Sequence, residues 1–157
     1  RLENLQRAVE HLSVIFTDLE AASVYESPPY GYKDQNSFYN SAVTILTRLS
    51  PSEVLSELLT IEKKMGRERL RKWGPRNIDL DIIFFGNEIV NTHDLNIPHP
   101  DYKNRLFVLE PVAELMGGFI PPDDNRSLNE ILLACRRQNQ TQELNKSIKK
   151  IAAKWIV

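Results

Sequence analysis

Apolar residues at Leu2, Leu5, Val9 and Leu12 recur at helical spacing, so a helix is running from the first residues. No Ser, Thr, Asp or Asn precedes it as a cap. Leu19 to Tyr25 reads as a strand of mixed pattern. It runs into Glu26-Ser27-Pro28-Pro29-Tyr30-Gly31, a stiff loop that cannot pair as a central strand. Phe38 to Leu46 is the clearest alternation outside residues 78–85. Phe38, Asn40, Ala42 and Thr44 share one face of it; Tyr39, Ser41, Val43 and Ile45 share the other. Ser50-Pro51-Ser52-Glu53 is a strong helix start, with Ser50 as cap, Pro51 in the first turn and Glu53 reaching back. In that helix Leu58 and Ile61 face the core, and Gly66 is expected to stop it.

Past the middle of the chain, residues 78–85 alternate as a strand. Phe85-Gly86-Asn87-Glu88-Ile89-Val90 then reads as a hairpin about a Gly-Asn turn. Leu106 to Leu115 predicts a helix interrupted at Glu110-Pro111 and ended by Gly117-Gly118. Ser127-Leu128-Asn129-Glu130 starts another with a capping box. The stretch 138–157 turns amphipathic, with Ile148, Ile151, Ala152, Trp155 and Ile156 at helical spacing. It predicts a helical extension of a single domain spanning 1–157.

Composition narrows the class. A chain of 157 residues, 41% apolar and 26% charged, fits one soluble globular domain. Twenty basic against 21 acidic residues argue against a general nucleic-acid binder. The single cysteine, Cys135, excludes a disulfide framework and fits a reducing, cytoplasmic compartment; its apolar neighbours make it a core residue. No apolar stretch approaches a membrane span, no signal peptide is evident, and the three histidines form no zinc-type cluster.

The chemistry concentrates between Arg67 and Ile83. Arg67 to Arg76 carries five cationic side chains and one acid and closes on Gly74-Pro75, so it reads as a mobile basic loop. In the strand that follows, Asp79 and Asp81 share one face, and Ile78, Leu80 and Ile82 the other. Carboxylates two residues apart lie roughly 6.6 Å apart along a strand. They repel unless a cation joins them, and hard oxygen donors of this kind suit Mg²⁺ with phosphate oxygens completing its shell. Arginines fork onto those same phosphates. A solvated basic turn before an edge strand with a polar outer face fits the spacing too. Asn40, beside Phe38, offers a donor and an acceptor next to an aromatic surface, as a flat heterocycle with an amide-like edge requires. An ordinary half-exposed strand Asn is the other reading.

The run Lys72-Trp73-Gly74-Pro75-Arg76-x-x-Asp79-Leu80-Asp81-Ile82-Ile83 resembles the signature of the 6-hydroxymethyl-7,8-dihydropterin pyrophosphokinases of folate biosynthesis. Pro98-His99, followed by Arg105 and Phe107, resembles that family's second block, although Pro100 stands where an aromatic is often found. The resemblance implies an enzyme with ATP as co-substrate that passes pyrophosphate to the pterin hydroxymethyl group and releases AMP. Two Mg²⁺ would sit on Asp79 and Asp81. Arg67 and Arg76 would stabilise charge developing in the transfer, and Leu59, Glu62, Arg69, Lys72, Ile82, His99 and Arg105 would hold the nucleotide. The pterin would lie among Ser27, Pro28, Pro29, Tyr30, Phe38, Asn40 and Phe107, with Trp73 covering it.

The implied fold is a ferredoxin-like α+β sandwich of βαββαβ order, with an added hairpin and C-terminal helices. Helices would cover one sheet face and the site would occupy the other. The family opens with a strand, which this sequence is expected to lack. The implied partners are ATP and hydroxymethyldihydropterin, with neither nucleic acid nor membrane, and other folate-pathway enzymes fused to the chain or acting beside it. Two further classes bear on the same residues. Another Mg²⁺-dependent nucleotidyl transferase or cyclase would want a third carboxylate on a neighbouring strand, and the chain offers no convincing one. A non-enzymatic module binding, for instance, RNA would want exposed aromatics where this chain sets acids.

Overall fold

The computed structural model describes residues 1–28, 37–67, 78–139, 148–152 and 155, with Arg67, Ile151 and Ala152 described by their backbone alone. Helix α1 spans Leu2–Ile15 and buries Ala8, Val9 and Leu12; no side chain caps its start. The strand expected over 19–25 is two strands, β1 (Thr17–Ala21) and β2 (Val24–Ser27), and that expected over 38–46 is also two, β3 (Phe38–Asn40) and β4 (Val43–Leu46). The cause lies in the register. β1 pairs antiparallel with β4 through Ala21 and Val43, and β2 with β3 through Tyr25 and Asn40. Between these pairs, Ala22, Ser23 and Val24 stand against only Ser41 and Ala42. One extra residue makes a bulge that bends the hairpin and divides each strand. A second irregularity separates Thr17 from Glu20, where Asp18 takes φ 50°, a left-handed conformation that Asp tolerates better than most residues.

Helix α2 spans Pro51–Arg67. Its capping box forms as expected: Glu53 N–H donates to Ser50 Oγ at 3.2 Å and Ser50 N–H donates to Glu53 at 3.1 Å. Gly66 does not stop the helix. A glycine costs about 1 kcal/mol inside a helix, and the burial of Ile61 and Met65 just before it favours carrying the turn on. Residues 78–85 pair with no strand among the described residues. The Gly86-Asn87 turn exists, with Glu88 N–H donating to Phe85 O at 3.0 Å and Gly86 at φ 54°, where glycine is at no steric cost. The hairpin is not built about it. Strands β5 (Val90–Asn91) and β6 (Asn96–Ile97) pair instead across Thr92–Leu95, where Thr92 N–H and Oγ1 both donate to Leu95 O.

A 3-10 turn at Tyr102–Asn104 leads into helix α3, Leu106–Met116. α3 continues past Pro111 where an interruption is expected, and the reason is packing. The lost hydrogen bond and ring clash cost about 3 kcal/mol, set against complete burial of Leu109 and Pro111 and near-complete burial of Val112. Helix α4 (Leu128–Gln138) begins with the anticipated Ser127–Glu130 capping box. The tail does not match its periodicity. Lys149–Ala152 is strand β7, antiparallel to β2, in place of the expected helix. The edge of β2 left open by β3 offers ladder hydrogen bonds, and tertiary pairing overrides a weak amphipathic pattern.

The sheets are therefore β1-β4, β3-β2-β7 and β5-β6, all antiparallel, among α-helices: an α+β fold. Apolar clusters lie against the hairpin, among them one of Val9, Val24 and Trp155. Val43, Ile45, Ile78, Leu80 and Ile82 pack with the α1–α2 cluster, whereas Ala42, Ile83 and Phe84 pack with the α3–α4 cluster. Helices thus lie against both sides, and α3 contacts β2, β3 and β4, so the second face is not given over wholly to a site. Cys135 is buried in the α3–α4 cluster, as its neighbours imply, and burial pushes its thiol pKa up.

Candidate active site

Asp79 and Asp81 are exposed, while Ile78, Leu80 and Ile82 between and beside them are half-buried. The alternation expected of a strand is present without strand pairing. The apolar members are pinned in the α1–α2 cluster, and this directs the two carboxylates away from it. The backbone is pinned as well. Glu62, near the end of α2, accepts the Leu80 N–H at 3.0 Å, a charge-assisted bond between the two acids. Leu59, one turn earlier, is 50% exposed on the same helix.

From the other side, His99 N–H donates to Ile83 O at 2.9 Å, which ties the His99 loop to the acid segment. Asp101 N–H donates to His99 Nδ1 at 3.3 Å, which leaves the ring proton to Nε2. Arg105 pairs with Asp101 at 3.2 Å and lies 5.8 Å from the Phe107 ring centroid, within cation–π range. Backbone and side-chain links thus gather Glu62, Asp79, Asp81, Ile82, His99 and Arg105 into one connected group. Two hard carboxylates facing solvent fit Mg²⁺ whose remaining donors come from phosphate oxygens and water. Among the described residues no group of three His, Cys, Asp or Glu side chains forms a protein-only metal cage.

A second group sits on the β2–β3 ladder, where Ser27 is opposite Phe38 and Tyr25 opposite Asn40. Ser27 is buried and Asn40 half-buried, while Phe38 is 47% exposed and offers an uncovered aromatic surface. Ser37 Oγ donates to Glu26 at 2.5 Å, and Arg1 donates to Ser37 O and Oγ at 2.6 and 2.8 Å while stacking 4.6 Å over Tyr39. Pro28 is half-buried at the end of β2. Phe107 is half-buried on α3, the helix that contacts β3. Pro29, Tyr30, Arg69, Lys72, Trp73 and Arg76 lie outside the described residues, as does the Arg67 side chain.

Sequence reasoning missed what holds this second group. Glu114, on α3, accepts both the Ser23 N–H at 2.6 Å and the Ser23 hydroxyl at 2.5 Å, and Lys150 on β7 stands 3.2 Å from it. Burial works against the charged form of Glu114, yet the Ser23 and Lys150 contacts outweigh it and hold its pKa below the usual carboxylate range. Tyr25, between Asn40 and Lys150 in the ladder, has its hydroxyl pKa pushed up to about 12 by burial and then by Glu114 and Glu110. No spacing signals these contacts, because Ser23, Glu114 and Lys150 are far apart in sequence.

The family model of 7,8-dihydro-6-hydroxymethylpterin-pyrophosphokinase matches residues 1–117. The 2-amino-4-hydroxy-6-hydroxymethyldihydropteridine pyrophosphokinase of Haemophilus influenzae is 40% identical over 124 residues, covering 78% of this chain and 78% of that protein. Its Bacillus subtilis counterpart is 45% identical over 108 residues, 69% of this chain and 65% of that one. The folic acid synthesis protein fol1 of Pneumocystis carinii is 41% identical over 123 residues; the match covers 78% of this chain but only 17% of that much longer protein.

Proposed function

Because this chain belongs to the 7,8-dihydro-6-hydroxymethylpterin-pyrophosphokinase family, we propose that it transfers the terminal pyrophosphoryl group of ATP to 6-hydroxymethyl-7,8-dihydropterin in folate biosynthesis. The pterin hydroxyl oxygen loses its proton and bonds to the β-phosphorus, the bond from that phosphorus to the α-phosphate oxygen breaks, and AMP, the pterin diphosphate and one proton are the products. The observation that carries this reading is the acid segment, with two exposed carboxylates between three anchored apolar residues and Glu62 gripping its backbone. Such a transfer requires little covalent work from the protein; it is mainly positioning and charge neutralisation. Asp79 and Asp81 would hold two Mg²⁺, which would supply that neutralisation of phosphate charge.

Each remaining role is the one that family membership implies, and the chemistry of the side chain suits it. Nε2 of His99 donates to a phosphate, and Arg105, preoriented by Asp101, forks onto another. Leu59 and Ile82 give the nucleotide apolar contact, and Glu62 supports the segment that carries the acids. Arg69 and Lys72 add phosphate contacts, and Arg67 and Arg76 meet charge that grows at the transition state. Asn40 reads the amide-like edge of the pterin, Phe38 and Phe107 sandwich its ring, and Ser27, Pro28, Pro29, Tyr30 and Trp73 enclose it.

The same proposal extends to architecture and setting. We read the fold as ferredoxin-like, with β4 and residues 78–85 lying against the same helices. Val43 and Ile45 of β4 pack on the same α1–α2 cluster as Ile78, Leu80 and Ile82, and β4 and residues 78–85 are not paired to each other among the described residues. The long Pneumocystis relative supports action beside other folate-pathway enzymes, and the buried thiol suits the cytoplasm. Incubation with ATP, Mg²⁺ and hydroxymethyldihydropterin tests the central claim. AMP should form one-for-one with the pterin diphosphate and stop on chelation. AMP release that ignores the pterin would overturn it.

A further inference from the structure

The bend in the hairpin is an irregular stretch of backbone, and contacts from Lys150 and Trp155 converge on it. The Ala22 carbonyl, inside the bulge, accepts the Ser41 hydroxyl at 3.0 Å and the Trp155 indole N–H at 2.8 Å. The next residue, Ser23, is held through both its N–H and its hydroxyl by Glu114, which Lys150 pairs in turn. Trp155 is itself buried with Val9 and Val24, and Gln6 on α1 donates to its carbonyl at 2.9 Å. Lys150 stands opposite Tyr25 on one edge of β2, and Asn40 stands opposite Tyr25 on the other. Asn40 is one residue from Ser41. Both C-terminal contacts thus act on the turn of backbone that aims β3, and both residues lie past the 1–117 matched to the family.

We infer that Trp155 is a positioning residue for the pterin side of the site: its indole N–H on Ala22 O fixes the bulge and thereby the placement of Asn40. A bulge has an extra residue with incomplete ladder bonding, so its backbone has neighbouring conformations of similar energy. Two donors on one carbonyl select among them. Removing one leaves a buried acceptor with half its partners and lets the bend relax, with the loss falling on whatever β3 holds. The acid segment shares no such contact with Trp155 and should not notice. This inference rests on the assignment of Asn40 to the pterin, and the experiment separates the two.

Affinities for hydroxymethyldihydropterin and for a nonhydrolysable ATP analogue with Mg²⁺ are measured by calorimetry for the wild type, Trp155→Phe, Asn40→Ala and the double variant. Phenylalanine keeps the ring and removes the N–H. One net hydrogen bond corresponds to about two- to twelvefold in an equilibrium constant, so Trp155→Phe should weaken pterin binding by about fivefold and leave the nucleotide affinity unchanged. In the Asn40→Ala background it should cause no further loss, since the two act through one contact. Unchanged pterin affinity in Trp155→Phe, equal losses for both ligands, or an additive double variant would each overturn the inference. An Asn40→Ala variant that binds pterin normally would instead remove the functional assignment, and the inference with it. Should Trp155→Phe fail to fold, Ser41→Ala withdraws the other donor from the same carbonyl and must give the same pterin-only loss.

Discussion

The two halves of the site are held by different means. The acid segment, residues 78–85, rests on buried apolar side chains, one carboxylate-to-backbone bond from Glu62 and one backbone bond to the His99 loop. The pterin half rests on a ladder: β2 is bonded along both edges, to β3 and to β7. A short motif can encode the first kind of support, because alternation of acid and aliphatic residues both anchors the segment and aims its carboxylates. The second kind needs partners from distant parts of the chain, and no local pattern announces them. Damage should divide accordingly: changes in the acid half should abolish turnover, and changes in the ladder half should weaken one substrate.

The largest expected effect belongs to Asp81→Ala. A single preorganised charge partner is worth about 10²- to 10³-fold in turnover, and a metal ligand should reach at least the upper end. Turnover should fall by that much while the far-ultraviolet circular dichroism stays native, since the side chain is exposed. Asp79→Ala should behave alike. Turnover near wild type in either would sink the metal assignment.

Next comes Arg76→Ala. Arg76 precedes Asp79 by only three residues in the sequence, and it is assigned to the charge that develops beside the acids. Loss of one preorganised donor should lower kcat by about 10²-fold with little change in ATP affinity. A loss confined to ATP affinity, with kcat intact, would make Arg76 a ground-state anchor instead.

Phe38→Ala probes the ladder half. The side chain is 47% exposed, so the fold loses little when it is removed. Stacking of a base on an aromatic is worth about 1–3 kcal/mol, so pterin affinity should fall roughly tenfold while ATP affinity holds. A parallel loss of ATP affinity, read by titration with the nonhydrolysable analogue, would show that the two halves are not separable.

How far the sequence carried the reading follows the same division. The helix starts at Ser50 and Ser127 are legible because a capping box is a local device, two residues set three positions apart. The faces of 78–82 were legible because burial there has period two. The divided strands were not, since a one-residue excess opposite Ser41-Ala42 is invisible until both strands are aligned. The tail departs from its helical spacing because the edge of β2 that Lys149–Ala152 joins comes from the far end of the chain, where no local pattern can announce it. Pro111 misled for the related reason that complete burial can outweigh a lost hydrogen bond. Family likeness supplied the roles of His99 and Arg105; their residue types alone did not.

Glu62→Gln gives a smaller effect. Glutamine can still accept the Leu80 N–H, but the bond loses its charge assistance, a difference of about 1 kcal/mol. Stability by urea unfolding should drop by that amount and Mg²⁺-dependent turnover by a few-fold. A stability loss with turnover intact would mean that the grip on Leu80 does not set the acids.

The smallest expected effect is a pH dependence in the ladder half. Glu114 has its pKa held below the usual carboxylate value by Ser23 and Lys150 despite the opposing effect of burial. A carboxylate depressed in the folded state stabilises the fold above its unfolded pKa, about 4.3 for Glu, and that contribution is lost as pH falls through the folded value. Ser23→Ala removes the hydroxyl bond and leaves the N–H bond, so the depression should shrink without vanishing. The variant should be less stable than wild type by about 1 kcal/mol at neutral pH. That gap should close progressively in acid, because in both proteins Glu114 is then protonated and the lost bond is no longer charge-assisted. Urea unfolding of the pair from neutral pH into acid reads the gap directly. A gap that stays constant across that range would mean the Ser23 hydroxyl contributes through packing alone, and that the bulge is not held by the charge on Glu114.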